Sequence, residues 1–146
     1  MKRVLFLFIG GSILWAADSA TYKTSAELAA VLKENIQKVG PEMAESPVIV
    51  APKYQANVVH RDKPAGAISH PEGTEIHYIL EGGGTFVTGG KLIGKGAAAV
   101  IEGGVSRHLA KGDVVVIPAG VPHWYSQIDK GSITYFETRF NIEGKP

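Results

Sequence analysis

From Pro47 onward the chain breaks into short extended runs rich in Val, Ile, Tyr, Thr and Phe: Val48–Val50, Tyr54–Arg61, Glu75–Leu80, Thr85–Thr88, Val114–Ile117 and Ser132–Phe140. Turn clusters separate them, which is how half-buried strands joined by tight connections read. The glycine groups Gly82-Gly83-Gly84, Gly89-Gly90 and Gly103-Gly104 supply positive-φ positions for such turns. They read as barrel corners and not as a phosphate loop, because no helix start follows them. Gly94 to Ala99, low in complexity, reads as a surface excursion. An all-β domain is expected.

At 146 residues with 45% hydrophobic content, one domain can bury a core of its own. Fifteen Lys+Arg stand against 14 Asp+Glu, with no basic block or acidic tail, so nucleic-acid binding has no support. The chain has no Cys, which excludes disulfides, thiolate ligands and thiol nucleophiles and leaves His, Asp and Glu as metal donors.

The N-terminus differs from the rest. Lys2 and Arg3 precede an apolar run from Val4 to Trp15 and small residues from Ala16 to Ala20, the pattern of a secretory signal peptide. The run is short for a bilayer span, which takes about 20 residues, so processing after Ala17 or Ser19 is expected over a permanent anchor. The mature protein would then be periplasmic or secreted, without a stable membrane span. Next, Thr24-Ser25-Ala26-Glu27 has capping-box spacing, Leu28, Val31, Leu32 and Ile36 share a helical face, and Gly40-Pro41 ends the segment. The expected organisation is a leader at 1–19, a helical segment at 20–46 packed outside, and a barrel domain at 47–146.

One stretch is sharper than the others. Gly112-Asp113-Val114-Val115-Val116-Ile117-Pro118-Ala119-Gly120-Val121-Pro122-His123 spells G-x5-P-x-G-x2-H: a strand, a Pro/Gly turn, and a His opening the next strand. It resembles the second conserved motif of the cupin family, with Gln127 where the family usually has Asn. Glu75-Ile76-His77-Tyr78-Ile79-Leu80-Glu81-Gly82 is similar to the Glu-bearing strand of the first motif. That resemblance implies a single double-stranded β-helix, a jelly-roll barrel. It makes Glu75 the motif carboxylate and His70 a motif imidazole, and places Ile68 where the family has another. It also implies a divalent transition metal, Fe or Mn suiting a His/carboxylate site best and Zn or Ni fitting too. Barrels of this family often pair as homodimers.

Side chains two apart on a strand face the same side, so His77 should point with Glu75. It either supplies the nitrogen that Ile68 does not or packs beside the site. Imidazoles and a carboxylate are costly to bury alone inside a barrel. Gathering His70, Glu75, His77 and His123 around a divalent cation turns that cost into binding. By the same alternation Tyr125 lines the pocket and Gln127 is a candidate substrate contact, whereas Trp124 should pack on the other side. His60 and His108 read as ordinary surface or strand residues, Glu72 and Glu81 as loop carboxylates. Two functions follow: a metal-dependent oxygenase, isomerase or lyase acting on a small organic molecule, or a non-catalytic module holding a small ligand or sugar.

Overall fold

A computed structural model describes residues 20–141. The leader expected at 1–19 lies outside the described residues. The chain runs α1 (Ser25–Val39), β1 (Met43–Val50), β2 (Tyr54–Arg61), β3 (Thr74–Thr88), β4 (Lys91–Ile93), a short 3-10 turn at Gly96–Ala98, β5 (Val100–Glu102), β6 (Val105–Ala110), β7 (Val114–Ile117) and β8 (His123–Phe140).

The capping box forms as the spacing predicts. Thr24 Oγ1 accepts from the Glu27 amide at 3.1 Å, and Glu27 Oε2 accepts from the Thr24 amide at 2.7 Å. Gly40 closes the helix with its amide on the Ile36 carbonyl. Leu28, Leu32 and Ile36 are half-buried against the barrel, where α1 packs on β1 and β2, while Val31 is exposed. No helix residue is fully buried, so α1 covers the barrel from outside. Among the described residues no helix is long and apolar enough to cross a membrane.

The spine of the barrel is the antiparallel ladder between the two longest strands, β3 and β8, which pair from Thr74↔Phe140 to Thr88↔His123. β2 pairs with the C-terminal half of β8 and β1 with β2, while β7 and β6 take successive stretches of the other edge of β3. β4 and β5 form a separate two-stranded ribbon. The expected corner at Gly82-Gly83-Gly84 is a bend inside one continuous strand: the register slips on both sides of Gly82. Gly82 has φ 71°, and a Cβ there would stand 1.8 Å from the Ser132 carbonyl oxygen, so only glycine lets β3 pass β8 this closely.

β1 begins at Met43, ahead of the Val48–Val50 run, and β8 extends the Ser132–Phe140 run back to His123. β6 was not expected; of its residues only Leu109 is buried, so Ser106, Arg107 and His108 give it no apolar run to read. The expected excursion at Gly94 to Ala99 joins β4 to β5, with the Ala99 carbonyl accepting from the Ala67 amide at 2.9 Å.

Inside the barrel Val59, Ile79, Phe86, Leu109, Ile117, Tyr125, Ile133 and Tyr135 form one buried cluster. Each aliphatic or Phe side chain contributes roughly 1.5–3 kcal/mol by leaving water. The polar residues described next lie against it, with His77 stacked on Tyr125 and Tyr135.

Candidate metal centre

The inward face of β3 delivers Glu75, His77 and Ile79 in sequence, and the inward face of β8 delivers Tyr135, Glu137 and Arg139 opposite them. His123 opens β8 at the other end of the ladder. It is pinned by a two-way bridge to Ile68, whose amide and carbonyl bond the His123 carbonyl and amide at 3.0 and 2.9 Å. His70 comes from the same loop, with its carbonyl fixed by the Gly120 amide at 2.6 Å. The turn of the Gly112–His123 segment therefore anchors both His123 and the loop carrying His70.

Glu75 is the hub. Its Oε1 lies 3.2 Å from His70 Nε2, and accepts from Arg139 at 3.0 Å (Nε) and 2.9 Å (Nη2). Its Oε2 lies 3.3 Å from His77 Nε2 and 3.5 Å from His123 Nε2. The four residues singled out from the sequence thus meet at one carboxylate. They form two overlapping donor sets, His70/Glu75/His123 and Glu75/His77/Glu137, the donor atoms of each lying within 4.8 Å of one another.

Glu137 and Arg139 were not anticipated. Glu137 accepts from Asn57 Nδ2 at 3.0 Å, lies 3.5 Å from His77 Nε2 and 3.7 Å from Arg139. Arg139 Nη2 also meets His70 Nε2 at 3.1 Å; a guanidinium only donates, so that nitrogen accepts. Alternation along Ile133, Tyr135, Glu137 and Arg139 was the available signal. Phe136 and Phe140 in the opposite phase concealed which face is inward.

Burial by itself would raise the Glu75 carboxyl, but the His77 hydrogen bond, the attraction His123 and His70 exert when protonated, and the charge of Arg139 together outweigh it and hold it at about 2. Burial would likewise lower His77; hydrogen bonds to Glu137 and Glu75 reverse this and raise it. Burial does lower His123, against the opposing pull of the Val121 carbonyl and Glu75. That carbonyl, 3.1 Å from His123 Nδ1, can only accept, so Nδ1 carries a proton, and in the neutral ring that burial favours Nε2 turns its lone pair toward Glu75. Burial would raise Glu137 too, but the hydrogen bond and charge of His77 together with the Asn57 hydrogen bond lower it.

Tyr125 lines the cavity as expected, its hydroxyl 3.2 Å from His77 Nδ1 and its ring stacked on that imidazole. Gln127 does not. In the β3–β8 ladder Thr85 pairs with Gln127 but Phe86 with Tyr125, so Ser126 is an extra residue and the bulge breaks the alternation. Gln127 is exposed and bonds Thr85 Oγ1 at 3.2 Å. Trp124 also departs from expectation: it lines the cavity mouth, with its indole N–H on the Ala65 carbonyl. Ile68 stands at the mouth too. His60 bonds Thr134 and the exposed His108 bonds Asp129, both away from the cluster.

The cupin family's sequence model matches residues 57–138, which carry His70, Glu75, His77, His123 and Glu137. The chain belongs to the cupin family. Among solved structures it is similar to the Schizosaccharomyces pombe Cnp3 cupin domain (14% identity, TM-score 0.52, 68% of this chain and 65% of that one). It is also similar to HppE in its Fe(II) form (20%, 0.56, 68% and 51%) and to the DMSP lyase DddQ from Ruegeria pomeroyi DSS-3 (21%, 0.55, 75% and 52%). At these identities the likeness is one of fold, and the cupin spans from about half to just under two thirds of the length of these neighbours. No curated protein matches the sequence.

Proposed function

We propose that this cupin is an exported, metal-dependent enzyme of the oxygenase, isomerase or lyase type, acting on a small organic molecule at the Glu75 cluster. One observation carries the reading. His123, with Nδ1 committed to a backbone carbonyl, aims the lone pair of Nε2 at an ionised carboxylate oxygen 3.5 Å away. With His123 neutral, two acceptors facing each other in a buried site repel unless a proton or a metal ion comes between them, and a ligating imidazole is ordinarily oriented through its other nitrogen in this way.

The donor chemistry fits a divalent transition ion. His70, Glu75 and His123 would hold it, with His77 and Glu137 as the alternative set around the same carboxylate. Such an ion supplies Lewis-acid or oxygen-activating chemistry, and imidazole with carboxylate suits Fe(II) or Mn(II), with Zn or Ni as alternatives. The chain's own residues do the rest. Glu75 stays ionised at neutral pH. Val121 fixes the His123 tautomer. Burial keeps the Tyr125 hydroxyl protonated, and that of Tyr135 is pushed up to about 12, so both remain hydrogen-bond donors. Phe86, Tyr125 and Tyr135 exclude water from the inner wall.

A second reading has one observation in its favour. Arg139 already bonds both His70 and Glu75, which lets the barrel hold a small ligand without an ion. Elemental analysis of protein purified without a His tag separates the two: about one transition ion per chain is expected, and none would leave the binding-module reading standing. Export is tested by mass spectrometry of the processed protein, which should begin near Asp18 or Ala20. Intact Met1 would oppose it.

A further inference from the structure

Arg61 ends β2 on the inward face it shares with Asn57 and Val59, and it is 8% exposed. Its Nε donates to Tyr135 Oη at 3.0 Å, its Nη1 to Met43 Sδ at 3.2 Å, and its guanidinium lies 5.8 Å from the centre of the Tyr125 ring. None of these partners carries a charge. Among the described residues no carboxylate forms an ion pair with Arg61, and Nη2 has no hydrogen bond. The acids nearest in the wall are engaged elsewhere: Glu137 by Asn57 and His77, Glu75 by Arg139 and the imidazoles, and the exposed Glu45 by Asn57 at 2.9 Å. A guanidinium this buried is ordinarily paired.

Arg61 lines the same cavity as Glu75, His77, His123, Tyr125 and Glu137. Two carboxylates, Glu75 and Glu137, line it; they are offset by Arg61 in the wall and by Arg139, which bonds Glu75 at 2.9 Å. A divalent ion therefore adds positive charge that no further group in the wall compensates, in a site where low dielectric makes the imbalance costly.

We infer that the molecule taken up beside the ion is a small organic acid, whose carboxylate is held by the free end of Arg61. This rests on the metal reading given above and names its substrate class. A guanidinium fork matches a carboxylate in shape and charge. The inner cavity, about 30 Å³, admits little more than such a group. Ala65, Gly66 and Ile68 at its mouth also wall an outer groove of about 410 Å³ that reaches Met43, the residue touching Arg61. The acid group leads into the barrel, and the rest of the molecule lies in the groove.

The test uses Co(II) as the ion and acetate against acetamide as probes. Co(II) uptake is measured for the wild type, Arg61→Gln and Arg61→Lys, and each is then titrated with the probes at full Co(II) occupancy by following the visible spectrum. Acetate should bind the wild type and weaken about tenfold or more in Arg61→Gln, because a charge-assisted pair is lost. In Arg61→Lys, which keeps the charge without the fork, it should weaken by about threefold. Acetamide should bind weakly and equally to all three. Acetate affinity unchanged in both variants overturns the inference while the metal reading stands. A wild type that takes up no Co(II) fails at the earlier step and removes both. Thermal melts establish that each variant is folded; if Arg61→Gln is not, unchanged acetate affinity in Arg61→Lys decides against the inference.

Discussion

His123 Nε2 and Glu75 Oε2 face each other at 3.5 Å, and in the neutral imidazole that burial favours, with its proton on Nδ1 against the Val121 carbonyl, the contact sets a lone pair against a carboxylate. A cation resolves that contact, and His123 should therefore dominate metal retention. Replacing it with Ala should cost more than the roughly 10- to 100-fold that loss of a supporting residue costs in metal affinity. Elemental analysis of His123→Ala is the check: metal content equal to the parent's would place the ion elsewhere.

His77 differs from His60 and His108, which lie outside the cluster, by what its removal leaves behind. In His77→Ala, Glu75 and Glu137 lose the group lying 3.3 and 3.5 Å from them, and breaking such a buried pair costs about 3–5 kcal/mol. The variant should be destabilised and bind metal more weakly. His108→Ala, at the exposed pair with Asp129, should change stability by no more than about 0.5 kcal/mol. His60→Ala loses one bond to Thr134, about 1 kcal/mol. Neither should alter metal affinity. Denaturant melts with parallel metal titrations read all three, and equal metal affinity throughout would remove His77 from the site.

Gly66 places the mouth of the cavity. A Cβ there would stand 1.8 Å from the Gly96 carbonyl oxygen, which belongs to backbone and cannot swing aside. Gly66→Ala should push the loop carrying Ile68 and His70 off the β4–β5 connection, at a cost of about 1–3 kcal/mol. It should weaken metal binding without touching a donor atom. Denaturation midpoint and metal affinity both unchanged would mean that the loop shifts freely.

Much of this site was legible because its residues sit at fixed spacings from strong turn signals. Gly112 to His123 specifies strand, turn and strand start, and Glu75 with His77 needs only the two-residue period of a strand. What was not legible depends on features that spacing does not encode. The bulge at Ser126 reverses the face of Gln127, and a bulge of one residue has no mark in the sequence Tyr125-Ser126-Gln127. Glu137 and Arg139 lie on a strand that is aromatic in both phases, so the inward phase was ambiguous. Arg61 is recognised only once β2 is seen to pair with β8, which sets its guanidinium beside Tyr135. The all-β class was readable from short runs and glycine groups, and the jelly-roll from the resemblance of Gly112–His123 to a cupin motif, but not that β3 and β8 run unbroken through their bends.

The pH dependence of stability separates the protein with and without its ion. In the metal-free protein His77 has a folded pKa raised above its unfolded value near 6.5. A group raised in this way stabilises the fold fully below the unfolded value, and its contribution is lost as pH rises through the folded one. Metal acts in the opposite sense, because proton and ion compete for the same imidazoles, and the competition eases as pH rises. The difference in melting temperature between metal-loaded and chelator-treated protein should therefore grow from mildly acid to mildly alkaline pH. At free metal about 100- to 1,000-fold above Kd it should correspond to about 3–4 kcal/mol, on the order of 10 °C for a domain this size. Glu75, held at about 2, sets the acid limit: its contribution is present above the unfolded carboxylate value near 4.5 and is lost as pH falls toward 2. The chelated protein should still be folded at room temperature, because the cluster around Ile79, Phe86 and Tyr135 is independent of the ion. Thermal melts at several pH values, on samples of known metal content, are the measurement. An increment that is absent at neutral pH, or that shrinks as pH rises, would mean that the ion is not held by these imidazoles.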